Sequence, residues 1–262
     1  MALDGVTTLA GYTSQEREMN RRLNGLFAEW RACLKAGAAG RFDPAWFVTD
    51  GFYPRYTEQK KKILFIGREA YGIAGGSYID ELHACYKNNS IGNTSIGQYP
   101  FHRRLFYVAW GLTNGCQPWP EIPAVTALTP GLAEPGGLSF AFMNFSKLSN
   151  ETDTPTKLNY PVVEAFLECT QASGGDFFNR EIGILEPDLI ITMKFWDEWL
   201  YSLGELKTLP SGNDKLGRYF LKVNGRETLL LNGFHFSARN KCDRCDFYDP
   251  MVEALKKIPA GV

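Results

Sequence analysis

The sequence predicts an α/β fold, a three-layer α/β/α sandwich around a central, mainly parallel four-stranded sheet. Three observations predict it. Four short runs are apolar without alternation: Ile63–Ile66, Leu138–Met143, Leu189–Met193 and Thr228–Leu231. Such runs suit strands buried on both faces of a parallel sheet. Helical patterns alternate with the runs, as in folds with helices on both sheet faces. Polar, chemically capable residues follow each run, where ligands of such sheets bind.

The elements follow in order. Thr13 and Glu16 have the spacing of a capping box, and Met19, Leu23, Leu26, Phe27, Trp30 and Leu34 recur at helical spacing. They predict a helix from about Ser14 to Lys35, an N-terminal extension (about 14–36) to a single domain spanning 1–262. Gly37, Gly40 and Pro44 end it. Lys60-Lys61-Lys62 leads into the first strand, which Gly67 closes. Helices are expected over Pro100–Trp110, Pro161–Thr170, Asp176–Leu185 and Phe195–Leu203. Residues 111–137, rich in Gly and Pro, read as one long loop. Asp249-Pro250 opens a last helix with an N-cap and a proline in its first turn.

Composition narrows the function classes. The chain has 262 residues, 44% hydrophobic and 22% charged, with a net charge of −1. This balance argues against broad binding of nucleic acid by bulk charge. No apolar run approaches the roughly 20 residues of a membrane span, and Met1–Thr13 lacks a leader pattern. A soluble cytoplasmic protein is expected, with no cofactor, no metal, no membrane and no protein partner. The aromatic content of 14% serves core packing first and is compatible with base stacking. Six cysteines show no framework spacing, and reduced thiols are expected. Cys242-Asp243-Arg244-Cys245 is half a zinc site or a redox pair by spacing, and a plain surface-loop pair by default.

The strand ends supply the candidate chemistry. After the first run comes Gly67-Arg68-Glu69-Ala70-Tyr71-Gly72, then Gly75-Gly76-Ser77. After the second comes Asn144-Phe145-Ser146-Lys147, and after the third Lys194-Phe195-Trp196. After the fourth comes Asn232-Gly233-Phe234-His235-Phe236-Ser237-Ala238-Arg239-Asn240. One carboxylate, one carboxamide and one imidazole therefore share a sheet edge. The loop Gly67–Gly72 resembles the Gly-Gln-Asp-Pro-Tyr-His loop of the uracil-DNA glycosylase superfamily. Asn144 matches the family's base-reading asparagine. His235–Asn240 resembles the His-Pro-Ser-Pro-Arg-Asn segment of its single-strand-selective monofunctional branch. The resemblance spans roughly residues 60–240, in the family's order. The chain departs from it at Arg68, Glu69 and Ala70, and in lacking both prolines of the histidine loop.

The resemblance implies a monofunctional DNA glycosylase that hydrolyses the N-glycosidic bond of a flipped-out uracil or modified pyrimidine, in repair or in defence against phage DNA. Glu69 would stabilise the sugar cation and orient water, and His235 would donate to the departing base. Asn144 would pair with the base edge, Tyr71 would crowd the pyrimidine, and Phe142 or Tyr78 would stack on it. Arg239 would wedge into the gap left by the base. Ser237, Ser77, Ser146, Lys147 and Arg68 would meet the DNA backbone, with DNA, single- or double-stranded, as partner. Lys147 and Lys194 leave lyase chemistry open. His102-Arg103-Arg104 and Lys60–Lys62 are solvated faces unless they lie on the strand-end side. A glycosylase-fold protein that binds without cutting, and a hydrolase of free nucleosides or nucleotides, are the alternatives.

Overall fold

The computed structural model describes residues 6–150, 159–210 and 214–257. Residues 1–5, at the head of the stretch read for a leader pattern, lie outside this set. Helix α1 (Ser14–Gly37) starts at the Thr13–Glu16 capping box. It is followed by strands β1 (Gly51–Phe52) and β2 (Ile63–Tyr71), helices α2 (Tyr78–Lys87) and α3 (Pro100–Thr113), and strand β3 (Ala141–Asn150). Helices α4 (Tyr160–Ala172) and α5 (Phe177–Leu185) lead to β4 (Leu189–Met193), β5 (Leu206–Thr208), β6 (Gly217–Val223), β7 (Arg226–Gly233) and helix α6 (Asp249–Lys256).

The main sheet has seven strands in the order β1-β3-β2-β4-β7-β6-β5. Its centre, β3-β2-β4-β7, is parallel throughout. The expected four parallel strands are therefore present, but the sheet is larger and mixed. β1 adds antiparallel to β3, and β6 and β5 add antiparallel beyond β7. The β6–β7 hairpin turns through Asn224 and Gly225, both at positive φ (50° and 78°), with Val223 paired to Arg226. An Asn-Gly pair suits that two-residue turn because both positions need positive φ.

Each face of the sheet carries its own core. One face packs Leu64, Ile66, Met143, Phe145, Ile190 and Leu230 against α1, α4 and α5. The other packs Ile63, Phe65, Phe142, Leu189, Ile191 and Leu231 against α2, α3 and α6. Helix α1 is thus an integral layer, not an extension. Its Trp30 is fully buried, stacks on Phe177 at 4.9 Å and donates to Thr170 Oγ1 at 2.9 Å. The long stretch 111–137 is built from short helical turns at 119–121, 125–128 and 129–131. The expected helix 195–203 shrinks to Asp197–Tyr201.

The central strands run further than their apolar stretches. β2 continues through Arg68 and Glu69 to Tyr71, and β3 continues through Asn144 to Asn150, with every β3 residue buried. Buried polar side chains on β3 need partners. Lys147 Nζ donates to Asp50 Oδ1 at 2.7 Å and to Glu181 Oε1 at 2.9 Å, and all three side chains are fully buried. Asp50 Oδ2 also accepts from the Asn144 backbone N–H at 2.5 Å, where β1 no longer pairs with β3. Burial, then the neighbouring Asp50 charge, push the Glu181 carboxyl well above the usual carboxylate range.

Removing one member of a buried ion pair leaves a charge without a partner. Lys147→Met is expected to lower unfolding stability by about 3–5 kcal/mol in urea titration. The triple variant Asp50→Asn, Lys147→Met, Glu181→Gln is expected to recover most of that loss. A Lys147→Met protein as stable as the parent would contradict the buried-charge account.

Candidate active site

The carboxyl ends of the parallel strands are level. Gly67 pairs with Asn144, Ile66 with Thr192, and Met193 with Gly233. Gly67, Asn144, Met193 and Gly233 thus form one row across the sheet, and Arg68, Glu69, Tyr71, Asn144, Ser146, Lys147 and His235 lie on or beyond it, with Phe142 two residues before it. Gly67 is sterically required, because a Cβ there would stand 2.8 Å from Phe142 Cζ.

Glu69 extends from β2 just past the row. Between Glu69 and Tyr71 the β2–β3 register slips, since Glu69 opposes Ser146 and Tyr71 opposes Asn150. Two extra β3 residues are accommodated there, and such bulges re-aim side chains. Asn150 Nδ2 donates to Glu69 Oε1 at 2.7 Å. Burial pushes the Glu69 carboxyl up to about 7, against the opposing pull of Asn150, the Asn159 backbone and the Arg68 charge. At neutral pH both of its protonation states are populated.

Arg68 points to the opposite side of the strand. Its Nη2 donates to the Lys194 carbonyl at 3.0 Å, and its guanidinium lies 5.2 Å from the Trp196 ring centroid. Lys194 turns the chain after β4 with φ of 58°. Asn232 staples this turn, accepting from the Phe195 N–H at 2.9 Å and donating to the Phe195 carbonyl at 2.9 Å.

His235 is half-buried and follows β7 by two residues. Its Nδ1 accepts from the Ser237 backbone N–H at 3.2 Å, so the neutral ring carries its proton on Nε2. Burial, reinforced by the charges of Arg68 and Lys194, pulls the imidazole down to about 4. His235 is therefore a neutral N–H donor at physiological pH.

The histidine loop is held from below by Arg104 of α3, which is buried. Nη1 of Arg104 donates to the carbonyls of Phe236 at 2.6 Å and Ala238 at 2.8 Å, and Nη2 to that of Lys241 at 2.9 Å. Its Nε pairs with Asp243 at 2.7 Å, and Arg103 pairs with the same carboxylate at 2.6 Å. His102 bonds the Tyr86 hydroxyl at 2.8 Å. The His102-Arg103-Arg104 cluster is thus internal scaffolding rather than a solvated face. Its partners are distant in sequence, which hid this role.

Several expected contacts are withdrawn from solvent. Lys147 is committed to Asp50 and Glu181, and Ser146 is buried on β3. Ser77 is buried and caps α2 by accepting from the Asp80 N–H. None of these three side chains is exposed. Phe142 and Tyr78 stack on each other at 4.8 Å inside the core, so neither offers a free ring face. Asn144 is 1% exposed, and its Nδ2 points to Asp50 Oδ2 at 3.4 Å. Tyr71, Ser237, Arg239 and Lys194 are exposed. The structure adds Asn150, Asp50 and Tyr160, which were not singled out, and gives Arg104 a role other than the expected one. Asn150 bonds Glu69, Asp50 orients Asn144, Arg104 fixes the loop, and Tyr160 lies 5.8 Å from Trp196 with both rings exposed. The motif order gave no signal for these, since each acts through a partner far away in sequence.

A cavity of about 200 Å³, lined by Glu58, Lys60, Trp110, Asn114 and Leu138, lies at the amino ends of the strands, away from this edge. Among the described residues no cluster of three or more His, Cys, Asp or Glu could hold a metal, and no helix is long and apolar enough to cross a membrane. Comparison of the chain with protein-family models, curated proteins and solved structures finds no match.

Lysine cannot reproduce the Arg104 fork of donors. Arg104→Lys is expected to speed hydrogen exchange of the 236–241 amides about 10-fold or more, equivalent to losing roughly one net hydrogen bond. The β4 amides should change far less. Equal acceleration in both regions would show that Arg104 stabilises the fold as a whole rather than this loop.

Proposed function

We propose that this protein is a monofunctional DNA glycosylase of the cytoplasm that releases uracil or a modified pyrimidine from DNA. The observation that carries the reading is electrostatic. Glu69 is a carboxyl poised near neutrality, His235 is a neutral imidazole donor, and the charge of Arg68 acts on both. N-glycosidic cleavage asks for that pairing. In this reading the ionised Glu69 stabilises positive charge on the sugar and orients the attacking water. The Nε2–H of His235 stabilises negative charge on the leaving base, and burial, reinforced by Arg68 and Lys194, keeps the imidazole from taking a proton beforehand.

Asn144 reads the base in this proposal. An ionised carboxylate only accepts, so Asp50 fixes the amide with Nδ2 toward itself and Oδ1 away. The carbonyl oxygen then lies on the Gly67 side, 3.7 Å from where a Cβ of that residue would be. The stacked Phe142–Tyr78 pair lies on the same face, with Phe142 Cζ 2.8 Å from that position. Arg239 is exposed and makes no hydrogen bond or ion pair among the described residues, which suits a side chain that meets the strand.

Unpaired DNA is the favoured substrate. Tyr160 is 47% and Trp196 41% exposed, beside Arg68. Stacking of a base on an aromatic ring contributes about 1–3 kcal/mol. The burial of Lys147, Ser146 and Ser77 removes expected phosphate contacts. That same observation favours, as second reading, hydrolysis of free nucleosides or nucleotides.

The pH dependence tests the proposal. A carboxyl with a raised native value protonates as pH falls through about 7, so kcat/KM for base release is expected to rise with pH through that point. His235, held near 4, should add no inflection above pH 5. Glu69→Gln is expected to lower kcat by about 100-fold or more and to abolish the inflection. Base release by Glu69→Gln at the parent rate would refute the assignment.

A further inference from the structure

Neither the fold nor the proposed site uses Cys242-Asp243-Arg244-Cys245. Cys242 is the N-cap of a helical segment that begins with a wide turn over Asp243–Tyr248 and runs directly into α6. Its Sγ accepts from the Cys245 backbone N–H at 3.2 Å. The three-residue spacing thus places both sulfurs on one face of the segment's first turn. Both cysteines are exposed, whereas Cys33, Cys85, Cys116 and Cys169 are partly or fully buried.

The environment treats the two thiols differently. Bonds from the Cys245 backbone and side chain hold the Cys242 thiol below its ordinary value, and the same pairing pushes Cys245 above its own. An N-terminal thiolate facing helix N–H groups, with a second thiol three residues on, is the arrangement that favours attack by the first sulfur and resolution by the second. No further ligand completes a metal site among the described residues.

We propose that Cys242 and Cys245 form a redox-active dithiol that exchanges with low-molecular-weight disulfides. The Cys242 thiolate attacks one sulfur of a disulfide RS–SR. A Cys242–SR bond forms, the S–S bond breaks, and RS⁻ leaves and takes a proton from water. Cys245 then loses its proton and attacks the Cys242 sulfur, forming the Cys242–Cys245 bond and expelling the second RS⁻. The protein gives up two electrons and two protons, and RS–SR becomes two RSH. The centre lies at the foot of the histidine loop, because Asp243 between the cysteines is the carboxylate that Arg103 and Arg104 share.

The test uses the full chain in glutathione buffers of defined ratio, with alkylation and peptide mapping. A Cys242–Cys245 disulfide is expected in oxidised buffer and should disappear in reduced buffer. Cys245→Ser should accumulate a glutathione mixed disulfide at Cys242. Cys242→Ser should form adduct at Cys245 about 10-fold more slowly or less at pH 7. Circular dichroism confirms that both exposed-site variants fold. Absence of the internal disulfide in excess oxidised glutathione, or faster adduct formation at Cys245 than at Cys242, overturns the proposal.

Discussion

The Lys147 ammonium, buried between Asp50 and Glu181, is the interaction on which the rest depends. It lies where β3 has lost its β1 partner and slips against β2. Without it the buried carboxylates of Asp50 and Glu181 would lose the cation that they share. With it, Asp50 is held where it completes the hydrogen bonding of the Asn144 backbone and orients the Asn144 amide. The ammonium also stands 5.2 Å from the Phe27 and 5.4 Å from the Trp30 ring centroids, which ties α1 to the same point. One charge thereby joins the helical layer, the sheet and the base-reading candidate.

A second buried cation plays the same part for the other half of the site. Arg104 is to the histidine loop what Lys147 is to β3. Both are buried and both collect several acceptors, Lys147 from Asp50 and Glu181 and Arg104 from the stretch 236–243. Rigid support matters because a donor helps a leaving group only if it is already in place. The Lys194 turn completes the frame. Its carbonyl holds Arg68, and Arg68 in turn biases both titrating groups.

Much of the fold was legible in the sequence, for a physical reason. The parallel strands are covered on both faces, so each reads as an unbroken apolar run. Most helices declare themselves by periodicity and by caps such as Thr13–Glu16, although α2 was missed. The edge strands escaped notice because they are short or face solvent on one side, although the Asn224-Gly225 hairpin was there to be found. Strand ends were misplaced because Arg68, Glu69, Asn144 and Lys147 look like loop residues. They stay in the ladder because their partners come from elsewhere: Asn150 for Glu69, and Asp50 and Glu181 for Lys147. The same blindness made Arg104 look like surface charge. The level row of Gly67, Asn144, Met193 and Gly233 was legible in outline, while the withdrawal of Ser77, Ser146 and Lys147 was not.

The most direct measurement of the central claim is base release from a panel of substrates carrying uracil or modified pyrimidines. The panel spans single-stranded oligonucleotides, duplexes and free nucleosides. The account predicts release from at least one oligonucleotide, fastest in single strands, with the sugar–phosphate backbone left intact. Release from free nucleosides alone would contradict the DNA reading, and no release from any substrate would contradict glycosylase activity itself.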